Sequence, residues 1–172
     1  MKHSLTLTLT LLALAPLQVW SQLSGTPIPE FTATVLTGAQ IKSTQLIGQP
    51  TILIVTPSKD AAEDTRLWAN ALRENIDPSM VRIRDVLAID LPFFMSEEDA
   101  IGRAKAKIPE RYHDQTWLLN ESSLEAALSV PRDSTSAFVF VLDVQGQIAA
   151  RVQGNPDAAK ISQVERAVSG IQ

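Results

Sequence analysis

The chain has 172 residues, 45% of them hydrophobic, with 15 basic and 19 acidic side chains and no cysteine. Its formal net charge is -4 and the charges are interspersed, which excludes the clustered Lys and Arg of a nucleic-acid surface and disfavours binding to anionic membranes. Without cysteine, this chain cannot itself supply thiolate nucleophiles, iron–sulfur ligands or CxxC redox pairs. We therefore expect one domain of ordinary size whose core packs without cross-links.

Residues 1–21 are predicted to form a cleavable signal peptide. Lys2 gives a short basic start, and an uncharged stretch rich in Leu and Ala runs from Ser4 to Trp20. Because threonines, a proline and a glutamine interrupt this stretch, we expect cleavage after Ser21 rather than a membrane anchor. The expected location is the periplasm of a Gram-negative cell, or outside the cell, with no membrane span after cleavage.

The first half of the remaining chain predicts a lead-in, a hairpin and a buried strand. Residues 22–30 hold two prolines and no periodicity, so we expect an extended lead-in to a domain over 31–172. Residues 31–36 and 40–43 alternate apolar with polar side chains, which is typical of a β-hairpin. Residues 51–55 form a continuous run rich in β-branched side chains, which favours a strand covered on both faces, as in a parallel sheet.

A helix and a strand follow, and then a second helix. Residues 58–74 place Leu67, Trp68, Ala71 and Leu72 on one face, which predicts an amphipathic helix with Trp68 in the core. Residues 81–90 are interpreted as a strand. Ser96 and Asp99 predict a capping box that opens a helix, which Pro109 ends.

The last third predicts a closing hairpin and helix. Residues 116–119 suggest a brief strand, and residues 121–128 a short helix. Residues 137–142 and 148–152 form the clearest hairpin pattern in the chain. Asn155 followed by Pro156 predicts the cap and first residue of a final helix. The apolar face of that helix consists of Ile161, Val164, Val168 and Ile171.

Three segments carry a resemblance to a known family. Residues 28–31 (Ile-Pro-Glu-Phe), 46–50 (Leu-Ile-Gly-Gln-Pro) and 141–148 (Val-Leu-Asp-Val-Gln-Gly-Gln-Ile) are similar to secreted thioredoxin-like proteins of the redoxin group. Residues 117–120 and 133–143 look most like the periplasmic YtfJ-like proteins. The resemblance implies an α/β fold of three layers, α/β/α, with a mixed central sheet and an N-terminal β-hairpin.

The resemblance also implies that the redox site of the group is missing. In that group the cysteines lie at the start of the long helix, and the matching positions here are Asp60 and Glu63. A cis-proline of the group would fall near Ser136, where the nearest proline is Pro131. The spacing Asp-Ala-Ala-Glu favours a capping box, in which the Asp60 side chain accepts from the Glu63 amide.

These expectations favour an exported, non-catalytic protein that binds a protein or peptide of the cell envelope over the face of the lost site. No cofactor, metal or nucleic acid is predicted. The candidate binding residues are Thr56, Pro57, Ser58, Lys59, Asp60, Glu63 and Ser136.

Two other functions remain open at this point. The first is an enzyme that uses Asp60, Glu63 and His113 as its acids and base. The second is a purely structural component of the envelope. Residues 91–95 (Leu-Pro-Phe-Phe-Met) fit either a loop that covers the core or an exposed loop that binds a partner.

Overall fold

The computed structural model describes residues 24–119 and 123–171. The predicted signal peptide lies outside the described residues, and so do positions 120–122, which include the first two residues of the short helix predicted over 121–128. The elements in chain order are β1 (Thr32–Val35), β2 (Gln40–Lys42), β3 (Thr51–Thr56), α1 (Ala62–Asn75), β4 (Arg82–Leu87), α2 (Glu97–Lys105), β5 (Thr116–Leu118), α3 (Ser123–Leu128), β6 (Phe138–Leu142), β7 (Ile148–Gln153) and α4 (Ala158–Gly170). Short 3-10 turns, Ser43–Leu46 and Glu110–Tyr112, precede β3 and β5.

Within the described residues, seven strands form one mixed sheet in the order β2-β1-β5-β4-β3-β6-β7. β3 pairs in parallel with β4, and β4 with β5, whereas the other neighbours are antiparallel. Every residue of β3 is buried, as its unbroken apolar run predicted. Both predicted hairpins are confirmed as β1–β2 and β6–β7.

Helices cover both faces of the sheet. Successive side chains of each strand point to opposite faces, so one strand contributes to the core on either side. On one face, Ile52 and Ile54 of β3 meet the apolar sides of α1 and α4. On the other face, Leu53 and Val55 belong to an aromatic-rich cluster that includes Leu128 of α3. The predicted three-layer arrangement is therefore confirmed. The large side chains of the second cluster are Phe31, Trp117, Phe138 and Phe140.

A buried ion pair lies between the sheet and α1. Asp85 of β4 accepts a hydrogen bond of 2.8 Å from Arg73 of α1, and the two side chains are only 10% and 15% exposed. The Arg73 guanidinium also stacks on the Tyr112 ring, 4.3 Å from its centroid. Burial raises the pKa of Asp85 above its ordinary value, although Arg73 opposes that shift.

The first residues of α2 and α4 show which of the predicted N-caps form. Ser96 and Asp99 form the predicted capping box at α2, with the Asp99 amide donating to Ser96 Oγ over 3.0 Å. The predicted final helix is present as α4, but its predicted start was wrong, because the helix begins two residues later than expected. Asp157, in an extended conformation, accepts from the Lys160 amide at 2.8 Å, while Asn155 lies before the cap.

The described part of the lead-in runs beside the start of β7. Gly25 donates to the Ile148 carbonyl over 2.8 Å, and the Ile148 amide donates to Thr26 over 2.9 Å. Ile28 donates to the Gly146 carbonyl over 2.9 Å. Among residues 24–119 and 123–171, no helix has the length and apolar character needed to cross a membrane.

Candidate functional site

Three loops meet at the edge of the sheet where the parallel strands β3 and β4 end. Thr56 lies opposite Leu87 in the parallel register, so residues 57–61 and 88–96 leave the sheet side by side. β6 is antiparallel to β3, which brings the preceding segment, residues 131–137, to the same edge. We call these three segments together the carboxyl edge.

Ser58 organises the loop between β3 and α1. Its hydroxyl donates to the Ser134 carbonyl over 2.7 Å and accepts from the amides of Asp60, at 3.2 Å, and Ala61, at 3.4 Å. One side chain therefore fixes the turn into α1 and also ties it to the segment before β6. A serine followed by amides two and three residues later is a recurrent side-chain turn.

The capping box predicted for Asp60 and Glu63 was wrong. α1 begins at Ala62, so the N-cap position falls on Ala61, which has no polar side chain, and Asp60 lies outside the helix. Glu63 instead forms an exposed ion pair with Arg66, whose Nε donates over 3.0 Å. This partner lowers the pKa of Glu63. The Ser58 hydroxyl instead accepts from two amides of the loop that precedes α1.

The remaining candidate residues on this loop divide by accessibility. Thr56 and Pro57 are buried, and the Thr56 hydroxyl lies 2.8 Å from that of Thr65, which donates to the Ala61 carbonyl over 3.1 Å. They form the floor beneath the loop. Lys59, Asp60 and Glu63 are exposed, so only their side chains, with part of Ser58, face solvent.

Ser136 lies in the segment before β6, across from this loop. Its amide donates to Ser134 Oγ over 3.1 Å, and the next amide, that of Ala137, donates to Asp64 Oδ2 over 3.4 Å. The Ser136–Ala137 peptide bond is trans, as are the other peptide bonds of the described ranges. The segment before β6 is therefore held against both Ser58 and α1.

Trp68 supports the same junction from below. It is fully buried, as predicted, and its Nε1 donates to the Gly154 carbonyl over 2.6 Å. The Gly154 amide in turn donates to Ala137 over 3.0 Å. Gly154 has φ +84°, a conformation that side-chain-bearing residues rarely adopt. α1, the end of β7 and the start of β6 are thereby connected through one indole and one glycine.

The loop after β4 exposes Phe93 and Phe94, which argues against the alternative that residues 91–95 cover the core. Phe93 is 101% exposed and Phe94 is 72% exposed, with ring centroids 5.4 Å apart in an edge-to-face arrangement. Just before them, Asp90 accepts from Arg132 over 2.5 Å, which ties this loop to the segment before β6. The phenylalanines therefore stand on the carboxyl edge and are not a cover for the core.

The overall geometry matches solved structures of thioredoxin-like proteins. The chain has a thioredoxin-like fold. It superimposes on a candidate thiol:disulfide interchange protein, DsbE, from Chlorobium tepidum with a TM-score of 0.62 at 16% identity, covering 86% of this chain and 96% of that one. An exposed lipoprotein thioredoxin from Streptococcus pneumoniae gives 0.60 at 10% identity, covering 83% and 99%. A candidate electron transport protein from Aquifex aeolicus gives 0.63 at 16% identity, covering 86% and 99%.

Comparison of the sequence with known proteins does not identify a family. No family model matches the chain, and no curated protein matches it either. The thioredoxin-like fold is shown by the structural likeness alone, while the finer YtfJ-like resemblance stays a prediction.

The residues of the enzyme alternative are not brought together in this thioredoxin-like fold. His113 lies three residues before β5, toward the edge where the parallel strands begin, whereas Asp60 and Glu63 follow the end of β3. The Nε2 of His113 donates to the Ile108 carbonyl over 2.8 Å. Within the described parts of the chain, no three His, Asp or Glu side chains are grouped so that they could hold a metal ion.

Sequence reasoning missed three contributors to the carboxyl edge, namely Ser134, Asp64 and Arg132. Each acts through a partner that is distant in the chain, so no local pattern marks it. Ser134 accepts from Ser58, 76 residues earlier, and Arg132 binds Asp90, 42 residues earlier.

Proposed function

We propose that this chain is an exported thioredoxin-fold protein that binds a segment of another envelope protein at its carboxyl edge and has no thiol redox activity of its own. The fold is that of redox proteins, yet the 172 residues include no cysteine. A thioredoxin-like surface recognises extended segments beside its redox site, and that surface can persist when the thiols are lost.

The observation that carries the proposal is the bracing of the carboxyl edge. Ser58 connects the loop after β3 to the segment before β6, Asp64 connects that segment to α1, and Asp90 connects the loop after β4 to Arg132. Loops that are already ordered lose little conformational entropy when a ligand binds. The bracing thus supports a binding surface that is preorganised.

Crosslinking in the cell tests this proposal. A photoreactive amino acid placed at Lys59 or at Ser136 is expected to capture the same discrete polypeptide. The matched control carries it at Gln163, which is exposed on α4. Capture of the same polypeptide from Gln163, or of none from Lys59 and Ser136, would contradict binding at the carboxyl edge.

Export is a separate part of the proposal and has its own test. The predicted signal peptide over 1–21 supports a periplasmic or secreted location. N-terminal sequencing of the protein recovered from the periplasm is expected to begin at Gln22. An uncleaved chain recovered with the cytoplasm would contradict export and leave the binding surface as a separate question.

A further inference from the structure

The loop after β4 presents apolar surface that the fold does not use. Phe93 and Phe94 contact each other, and their large exposed fractions show that they add little to the core. The other two exposed large apolar side chains of the described residues, Ile47 and Met80, lie near the starts of β3 and β4, at the opposite edge. The carboxyl edge therefore differs from the rest of the described surface in having two adjacent aromatic rings.

The surroundings of these rings are acidic. Residues 88–103 contain four carboxylates and one basic residue, Arg103, whose charge acts on Asp99. One of the four is neutralised by Arg132, and two others accept hydrogen bonds, Glu97 from Thr34 and Asp99 from Ser96. Hydrogen bonds to neutral hydroxyls leave the negative charge in place, so a net negative field flanks the rings. The four carboxylates are Asp90, Glu97, Glu98 and Asp99.

We propose that Phe93 and Phe94 anchor an apolar side chain of a polypeptide partner that carries Lys or Arg beside it. This inference rests on the proposed function and specifies the partner class at the same surface. An aromatic pair offers contact area at small conformational cost, and partner cations gain both from the flanking carboxylates and from the ring faces. The link between Asp90 and Arg132 joins this anchor to the remainder of the carboxyl edge.

Charge complementarity favours a basic polypeptide over the other occupants of an exposed aromatic loop. An anionic membrane surface would be repelled by the acidic flank. A second copy of the chain in a two-fold contact would place the same carboxylates against each other, because such an interface uses one patch twice.

Selection from a displayed peptide library on the full chain tests the inference. Wild type is expected to enrich peptides in which an aromatic or aliphatic residue stands within about three positions of Lys or Arg, so that one patch contacts both. The double variant Phe93→Ser with Phe94→Ser is expected to lose this enrichment. Met80→Ser, which removes a comparable exposed apolar side chain at the opposite edge, is expected to retain it.

Affinity measurements on one selected peptide separate the apolar contribution to binding from the electrostatic contribution. The double phenylalanine variant should weaken binding about tenfold or more, as expected for loss of central aromatic anchors. Glu98→Gln should weaken it about two- to threefold at low salt and by less at high salt, because screening removes the difference. Met80→Ser should leave the affinity unchanged.

Several outcomes overturn the inference. Enriched peptides that are acidic beside the apolar residue, or that bind the double variant as tightly as wild type, contradict it. If substitutions at Lys59 and Ser136 abolish the binding of such peptides, the proposed function stands and only this inference fails. If no peptide is enriched at all, both fail. Phenylalanine-dependent binding to anionic vesicles, or a phenylalanine-dependent dimer in sedimentation, would assign the loop to a membrane or to a second copy instead.

Discussion

The loops that follow β3 and β4 leave the same edge of the sheet and yet differ in what their side chains do. In the first, Ser58 satisfies two amides and one distant carbonyl, and Thr56 and Pro57 are buried beneath it. In the second, Phe93 and Phe94 stand in solvent with one exposed ion pair at their base. The first loop is therefore part of the structural framework, and the second presents side chains whose contribution to folding is small.

Replacing Trp68, which packs beneath the first loop, should cause the largest loss of stability. Trp68→Ala is expected to lower the free energy of unfolding by about 3–5 kcal/mol, since a fully buried indole is lost. Trp68→Phe keeps most of the volume but loses the bond to Gly154, and should cost about 1–2 kcal/mol. Urea unfolding measures both. A loss below about 1 kcal/mol for Trp68→Ala would show that the junction does not depend on this residue.

Removing the Ser58 hydroxyl should have the next largest effect. Ser58→Ala is expected to destabilise the fold by about 1–2 kcal/mol, because two amides and one carbonyl lose their partner. Thermal or urea unfolding provides the measurement. Lys59→Ala, which alters the exposed neighbour, serves as the control and should change stability by less than about 0.5 kcal/mol. Equal losses of stability for the two substitutions would show that the Ser58 hydroxyl contributes no more to the fold than the exposed side chain of Lys59.

Breaking the ion pair at the base of the second loop should matter less. Asp90→Asn is expected to cost less than about 1 kcal/mol, because both side chains are largely exposed and the attraction is screened. Hydrogen exchange of the amides in residues 88–95 should nevertheless become faster, since this pair ties the loop to the segment before β6. Unchanged exchange would show that the loop is held by other contacts.

Replacing the exposed phenylalanines should have the smallest effect on stability. The double variant Phe93→Ser with Phe94→Ser is expected to unfold within about 0.5 kcal/mol of wild type, as is usual for surface positions. Differential scanning calorimetry checks this. A loss of several kcal/mol would mean that these rings cover the core in solution, and the contrast between the two loops would disappear.

The predictions from sequence succeeded where the signal is periodic and local. The apolar run of β3, the alternation in both hairpins and the capping box of α2 each depend on residues within a few positions of one another. The fold class followed from their order together with a family resemblance, and the structural neighbours confirm it.

The positions that the sequence did not predict correctly have three different causes. Asp60 and Glu63 have the spacing of a capping box, yet α1 begins only at Ala62, and the Ser58 hydroxyl, which also reaches Ser134, orders the loop before it. Asn155 and Asp157 are both good caps, and sequence gives no reason to prefer the second. The exposure of Phe93 and Phe94 could not be predicted either, because their segment has no periodicity that would assign them to one side.

The buried pair of Asp85 and Arg73 links folding to proton uptake. Because the folded-state pKa of Asp85 is raised, the native protein binds a proton at a pH where the unfolded chain, with an ordinary value of 3.8, has already released it. The stabilising contribution of this group is complete below that ordinary value and decreases as the pH rises through the folded pKa. The Asp85 carboxyl therefore makes the folded protein more stable, relative to the unfolded chain, as the pH falls.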